Sequence, residues 1–260
     1  MSEALFYKRV VPLNDKTHAG LRVRGATSHA YAAAINSVPL LGSEFFECAQ
    51  EYPIIFTRTA AGLAPIALLG LRESENLFVD AMGKWSARYI PAFVRRYPFV
   101  PGNGTGGEVL VCIDEASPCF DPMEGEALFV DGKPTAQLEH AMQFLNEFHQ
   151  AALATEQFVQ RLDQLGLLRQ ADSVAQLNDG SQFRLNGLHV VDETRLRALP
   201  SETIQELFAS GALKMIYAHL LSLGNLAALV DRLSLRTTKA KESTKESTKV
   251  KPRRGPDIRH

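Results

Sequence analysis

The chain has 260 residues, 45% of them hydrophobic and 22% charged, with a net charge of −1. That is enough chain for one large domain or two small ones with a full core, in the proportions of an ordinary soluble protein. Three cysteines (Cys48, Cys112, Cys119) form no CxxC pair, and their odd number argues against a disulfide framework.

The first residues, "MSEALFYKRVVPLNDK", lack the continuous apolar stretch of a secretory signal. No apolar run approaches the roughly 18–20 residues of a membrane span. The cytoplasm is therefore the expected compartment, with no membrane span.

The small net charge conceals an asymmetry. Residues 234–260 carry nine Lys/Arg against three acids, a net +6, which leaves −7 on the first 233. This end repeats "KEST" and has almost nothing apolar, so it is expected to be a disordered basic tail beyond a single domain of residues 1–233. A basic tail suits nucleic acid or another anionic surface. Without aromatics for base stacking, and joined to an acidic body, it makes nucleic acid an unlikely partner.

In chain order, "SEFFECAQEY" (Ser43–Tyr52) reads as a short helix capped by Ser43. "YPIIFTR", "APIALLGL" and "NLFVD" read as three consecutive strands separated by turn residues. "EVLVCIDE" and "EALFVDGK" give two more, the latter ending in an Asp131-Gly132 turn.

From Thr135 to Leu165, apolar residues recur every three or four positions: Leu138, Met142, Leu145, Phe148, Ala152, Val159 and Leu162. That spacing predicts one long helix, capped by Thr135 and ended by Gly166. Two turn signals follow in "VAQLNDGSQFRLNGLHVV", where Asn186-Gly187 has the composition of a hairpin turn. Residues 201–233 read as two or three short helices, with Ser201 as a cap and breaks at Gly211 and Gly224. Strands in runs and helices in runs predict an α+β fold.

The stretch "WSARYIPAFVRRYPF" (Trp85–Phe99) is the strongest candidate site. Trp85, Tyr89, Phe93 and Tyr97 stand four apart, one side of a helix, with Lys84, Arg88 and Arg95 on a neighbouring stripe and Arg96 at the aromatic edge. Such a surface suits a carboxylate, phosphate or sugar-bearing partner, and it nominates Trp85, Arg88, Arg95 and Arg96 as ligand-binding residues. The competing reading puts the aromatics in the core with the arginines reaching out to water. Pro91 argues for two pieces rather than one helix.

The other motifs carry less. "PGNGTGGE" (101–108) lacks the GK[ST] of a phosphate loop and runs into a strand, so it reads as a surface loop. Glu44, Glu47 and Glu51 read as the solvated face of their helix, opposite Phe45, Phe46 and Ala49. His140 and His149 fall on opposite sides of the long helix, and His219, in "LKMIYAHLLSL", is expected to be a hydrogen-bonded buried histidine. "VCIDEASPCF" holds Cys112, Asp114, Glu115 and Cys119 close together, as packing residues or a partial redox or metal set. No metal ligands, cofactor or catalytic residues can be named.

Several segments taken together resemble the SapC family of bacterial proteins: "EFFECAQEYPIIF", "ALLGLRESENLFVDAMGKWSARYIPAFVRRYPF", "LFVDGKPT", the two-turn segment and "GALKMIYAHLLSLGNLAAL". The likeness runs from about residue 4 to 233, and residues 76–99 are its most specific part. It implies association with a bacterial surface layer, and members near genes for flavin-dependent halogenase-like proteins and TonB-dependent receptors imply an envelope system. It implies no catalytic residues. A membrane-spanning peptide-transport permease shares the short name and is not the match.

The expected function is therefore a non-catalytic accessory protein of a surface-layer or envelope system, binding a protein or small anionic ligand. The alternative is an enzyme working beside flavin-dependent or oxygenase partners on a peptide or sugar.

Overall fold

The structure, a computed structural model, describes residues 5–25, 28–104, 109–176 and 182–249. Its largest sheet is antiparallel, in the order β12 (Leu168–Gln176), β13 (Gln182–Val191), β4 (Ile54–Thr59), β5 (Gly62–Leu68) and β3 (Ser37–Pro39). A second sheet joins β1 (Val10–Pro12), β7 (Val109–Asp114) and β6 (Phe99–Asn103). Two-residue strands complete the set. β2 (Arg22–Val23) lies between β8 (Phe120–Asp121) and β9 (Glu126–Ala127), and β10 (Phe129–Val130) pairs with β11 (Lys133–Pro134).

Seven helices accompany the sheets among the described residues. α1 (Phe45–Cys48) and α2 (Ala92–Arg95) are single turns, and α3 (Ala136–Gln164) is the longest. α4 (Glu193–Arg197), α5 (Ser201–Ala209), α6 (Ala212–Ser222) and α7 (Asn225–Lys249) follow β13. Helices and antiparallel sheets segregate along the chain, so the fold is α+β.

Local signals place α3 well. Thr135 adopts an extended backbone and its hydroxyl accepts from Leu138 N–H, while Gly166 ends the helix at φ 63°. Leu138, Leu145, Phe158, Val159 and Leu162 are buried, whereas Met142 is 42% exposed and lies off the expected stripe. Asp131 and Gly132 both have positive φ, as a two-residue hairpin between β10 and β11 requires.

Three expectations need correction. Asn186-Gly187 is no hairpin turn. It lies within β13, where Ala171 pairs with Leu188 and Ser173 with Leu185, so the strand carries one extra residue. Gly187, at φ 72°, takes the left-handed conformation of that bulge. The residues between β12 and β13 lie outside the described set.

"NLFVD" is no strand either, beyond one bridge from Val79 to Trp85. Its backbone groups find other partners. The Arg236 guanidinium donates to Asn76 O (2.8 Å) and Val79 O (2.5 Å), and the Asn76 side chain bonds Ala32 O and Phe78 N–H. Finally, Pro200, not Ser201, occupies the N-cap position of α5.

Arg236 also bears on the C-terminal boundary. α7 spans Asn225–Lys249, across residue 234 where the tail is expected to begin, and Arg236 bonds the body. Residues 250–260 lie outside the described set. Within Ala212–Thr238 a window of 18 residues has the length and composition of a bilayer-crossing helix, although it holds no uninterrupted apolar run of that length. Leu223 and Gly224 divide it between α6 and α7.

Candidate functional site

The Trp85–Phe99 segment does not form one helix. Pro91, extended at ψ 141°, stands at the N-cap of α2, which lasts four residues. The even aromatic spacing therefore does not describe one helical side. Its residues reach different environments because the chain bends around Pro91.

Trp85 is buried. Its indole N–H donates to the Tyr52 hydroxyl (2.9 Å), which donates in turn to Tyr89 O (2.5 Å), and its ring lies parallel to Phe78. Phe93 and Tyr97 are buried too, Tyr97 stacked on Tyr31 at 4.0 Å. Arg96 is only 5% exposed. Its guanidinium lies over Phe93 (4.1 Å) and Phe148 (4.7 Å), and Nε donates to the Tyr7 hydroxyl. Arg88 and Arg95 are exposed. Of the four nominated residues, two therefore face solvent and two are packed inside, so the continuous cationic and aromatic ridges of a single helix do not exist.

What holds the segment in place is Glu44, which was expected to face water. Residues Gly42–Glu44 form a 3-10 turn leading into α1, so the register that puts Glu44 beside Glu47 and Glu51 does not apply, and Ser43 is not the cap. Glu44 is 4% exposed. One carboxylate oxygen accepts from the Tyr89 hydroxyl (2.7 Å) and Ala92 N–H (2.6 Å), and the other from Leu41 N–H (3.2 Å). Glu51 accepts from Arg88 N–H at 2.7 Å. The two glutamates bind the 88–92 backbone to the 3-10 turn and to the residues just after α1. Thr155 of α3 fixes the turn from the other side, accepting from Gly42 N–H at 2.8 Å.

These elements enclose a cleft of about 310 Å³, lined by Glu44, Glu47, Tyr89, Arg95, Phe144 and Glu147 among others. Arg95 lies 3.9 Å from Glu44, donates to the Tyr89 hydroxyl and to Ile90 O, and sits over the Phe144 ring. Burial raises the Glu44 pKa above the usual carboxylate range, against the pull of its three hydrogen bonds and Arg95. Its contribution to stability is thus present at low pH and is lost as pH rises through the raised value. Replacing it leaves several donors without an acceptor, so Glu44→Ala is expected to cost about 3 kcal/mol in urea unfolding.

A scan against family models matches SapC over residues 13–229. The chain belongs to the SapC family. No curated protein and no solved structure matches it. The SapC match covers residues 41–47, the 85–99 segment, α3 through α6 and the first five residues of α7, so the cleft lies wholly within the family region.

Elsewhere in the SapC region, titratable groups serve the fold. His219 is fully buried, its Nδ1 at 2.9 Å from Ile54 O and its Nε2 accepting from Val191 N–H. Asp114 is likewise buried and accepts from Lys8, Arg9 and Ala116 N–H, fixing the N-terminal segment. Cys48, Cys112 and Cys119 are buried and form no disulfide with one another. Among the described residues no three His, Cys, Asp or Glu side chains group as metal ligands. Residues 105–108 of the glycine-rich loop lie outside the described set.

Sequence reasoning missed Glu44. The signal that could have found it is Pro91, since a broken second segment needs something to satisfy its free N–H groups.

Proposed function

We propose that this SapC-family protein is a non-catalytic accessory protein of a bacterial surface-layer or envelope system, recognising a partner through the cleft beside Arg95 and the exposed Arg88. The observation that carries this reading is the commitment of Glu44: both its oxygens are occupied by main-chain and tyrosine donors, leaving a fixed wall rather than a free acid or base. The lining holds three carboxylates and one arginine, and that arginine already has partners. This favours a protein partner over a small anion, because a protein can meet Arg88, the apolar ring faces and the acids together.

A second reading, an enzyme acting on a peptide or sugar, draws on the raised pKa of Glu44 beside Tyr89 and Arg95 in a cleft. The double variant Arg88→Ala/Arg95→Ala separates the two. Retention of a specific partner from the host should fall at least tenfold while the thermal melt stays close to the wild type. Unchanged retention would contradict the cleft reading, and turnover of a substrate that is lost in Glu44→Gln would establish the enzyme instead.

A further inference from the structure

Helix α6, "ALKMIYAHLLS", is apolar nearly all round, with Lys214 and His219 as its basic residues. One side packs inward through Ile216, Ala218 and His219. Among the described residues nothing covers the opposite side. Lys214, Tyr217 and Leu221 share it at i, i+3 and i+7; Leu221 is 74% exposed, and Lys214 reaches over the exposed Phe46 of α1 at 4.3 Å. Phe208, at the end of the adjacent α5, is 75% exposed.

The exposed apolar surface continues on α7 through Ala227, Ala228 and Leu235, interrupted by Asp231. Within Ala212–Thr238, the window with the hydropathy of a bilayer-crossing helix is only 28% buried. Scattered apolar residues are normal on a protein surface, but an aromatic and leucine side on consecutive helices is not.

The chain then changes character. Directly after this surface come Lys239, Lys241, Lys245 and Lys249 within the span of α7, then Lys251, Arg253, Arg254 and Arg259. The end of the chain is net +6 and the remainder −7. A uniformly acidic body would be repelled by an anionic surface; a basic run that follows the apolar side in sequence draws the molecule towards one.

We propose that the exposed side of α5, α6 and α7, with the basic run that follows it, docks the protein on an anionic lipid surface, lying on the bilayer rather than crossing it. The apolar side chains enter the interfacial zone, and the lysines and arginines meet the headgroups. Peripheral membrane attachment characteristically combines these two weak signals. A lipid surface satisfies both at once without side chains in register. This docking is independent of the cleft reading.

Co-sedimentation of the full chain with vesicles tests it. Wild-type protein should sediment with phosphatidylcholine vesicles containing one quarter phosphatidylglycerol, and not with phosphatidylcholine alone. Binding should weaken at high salt. Phe208→Ser/Leu221→Ser should lower the apparent affinity at least tenfold with an unchanged urea melt, since both side chains are exposed. Lys→Gln replacement at 239, 241, 245 and 249 should do the same and weaken the salt dependence.

Wild-type protein left in the supernatant overturns the proposal, and so does binding untouched by the Phe208/Leu221 pair. A concentration-dependent dimer abolished by that pair would also overturn it, assigning the surface to a second copy of the chain.

Discussion

Lowering the pH from 7 to 4 is expected to remove about 3 kcal/mol of folding stability through His219 alone. The side chain is enclosed between α6, β4 and β13, with the Phe56 ring 5.0 Å away. Val191 N–H is a donor, so Nε2 must be its acceptor, and Nδ1 carries the proton that goes to Ile54 O. That neutral tautomer uses both ring nitrogens.

Protonation would turn Nε2 into a second donor facing Val191 N–H, inside a desolvated site. Burial therefore lowers the pKa to about 4. A depressed histidine contributes stability that is fully present above its unfolded value of about 6.5 and is lost as pH falls through the folded value. Urea unfolding at pH 7, 6, 5 and 4 should show this loss in the wild type. His219→Gln keeps an acceptor for Val191 but cannot titrate, so its curve should lack that part of the slope. It should also lose about 1–3 kcal/mol at pH 7 from imperfect hydrogen bonding. Parallel pH profiles for the two proteins would refute the assignment.

Trp85→Ala should cost about 3–5 kcal/mol, whereas Arg88→Ala, three residues along, should stay within about 0.5 kcal/mol. The indole fills a site between Phe78 and His29 and provides the donor to the Tyr52 hydroxyl. Its removal leaves a cavity as well as an altered hydrogen-bond chain to Tyr89 O. Arg88 meets Glu51 only through its backbone N–H, which alanine keeps. Chemical denaturation of the two variants in parallel gives the contrast. Equal, small losses would mean that Trp85 lies at the surface, as a contact residue would.

The sequence showed most where structure is decided locally. The α3 span was legible because a capping threonine, a 3.6-residue repeat and a terminal glycine all act within one or two turns. His219 was legible because "LKMIYAHLLSL" leaves no polar side for it to occupy.

Where partners come from far along the chain, the reading failed. "NLFVD" has the composition of a strand, but two of its carbonyls are taken by Arg236, about 160 residues later, and nothing within the segment reveals that. Asn186-Gly187 has hairpin chemistry; only the pairing across β12 turns it into a bulge. Glu44 was misplaced because a helical repeat was applied to a 3-10 turn and a single α-helical turn, too short for that period to hold. At the candidate site, Pro91 was the legible part. It broke the supposed aromatic ridge, and the inward turn of Trp85 and Arg96 followed from tertiary packing.

The most direct test of the central claim is native mass spectrometry of the protein isolated from its own host, with Arg88→Ala/Arg95→Ala alongside. A reproducible non-covalent partner mass on the wild type, absent from the double variant while the chain stays folded, is the result expected of an accessory protein that recognises its partner at this cleft. The same added mass on both proteins would place recognition elsewhere and contradict that claim.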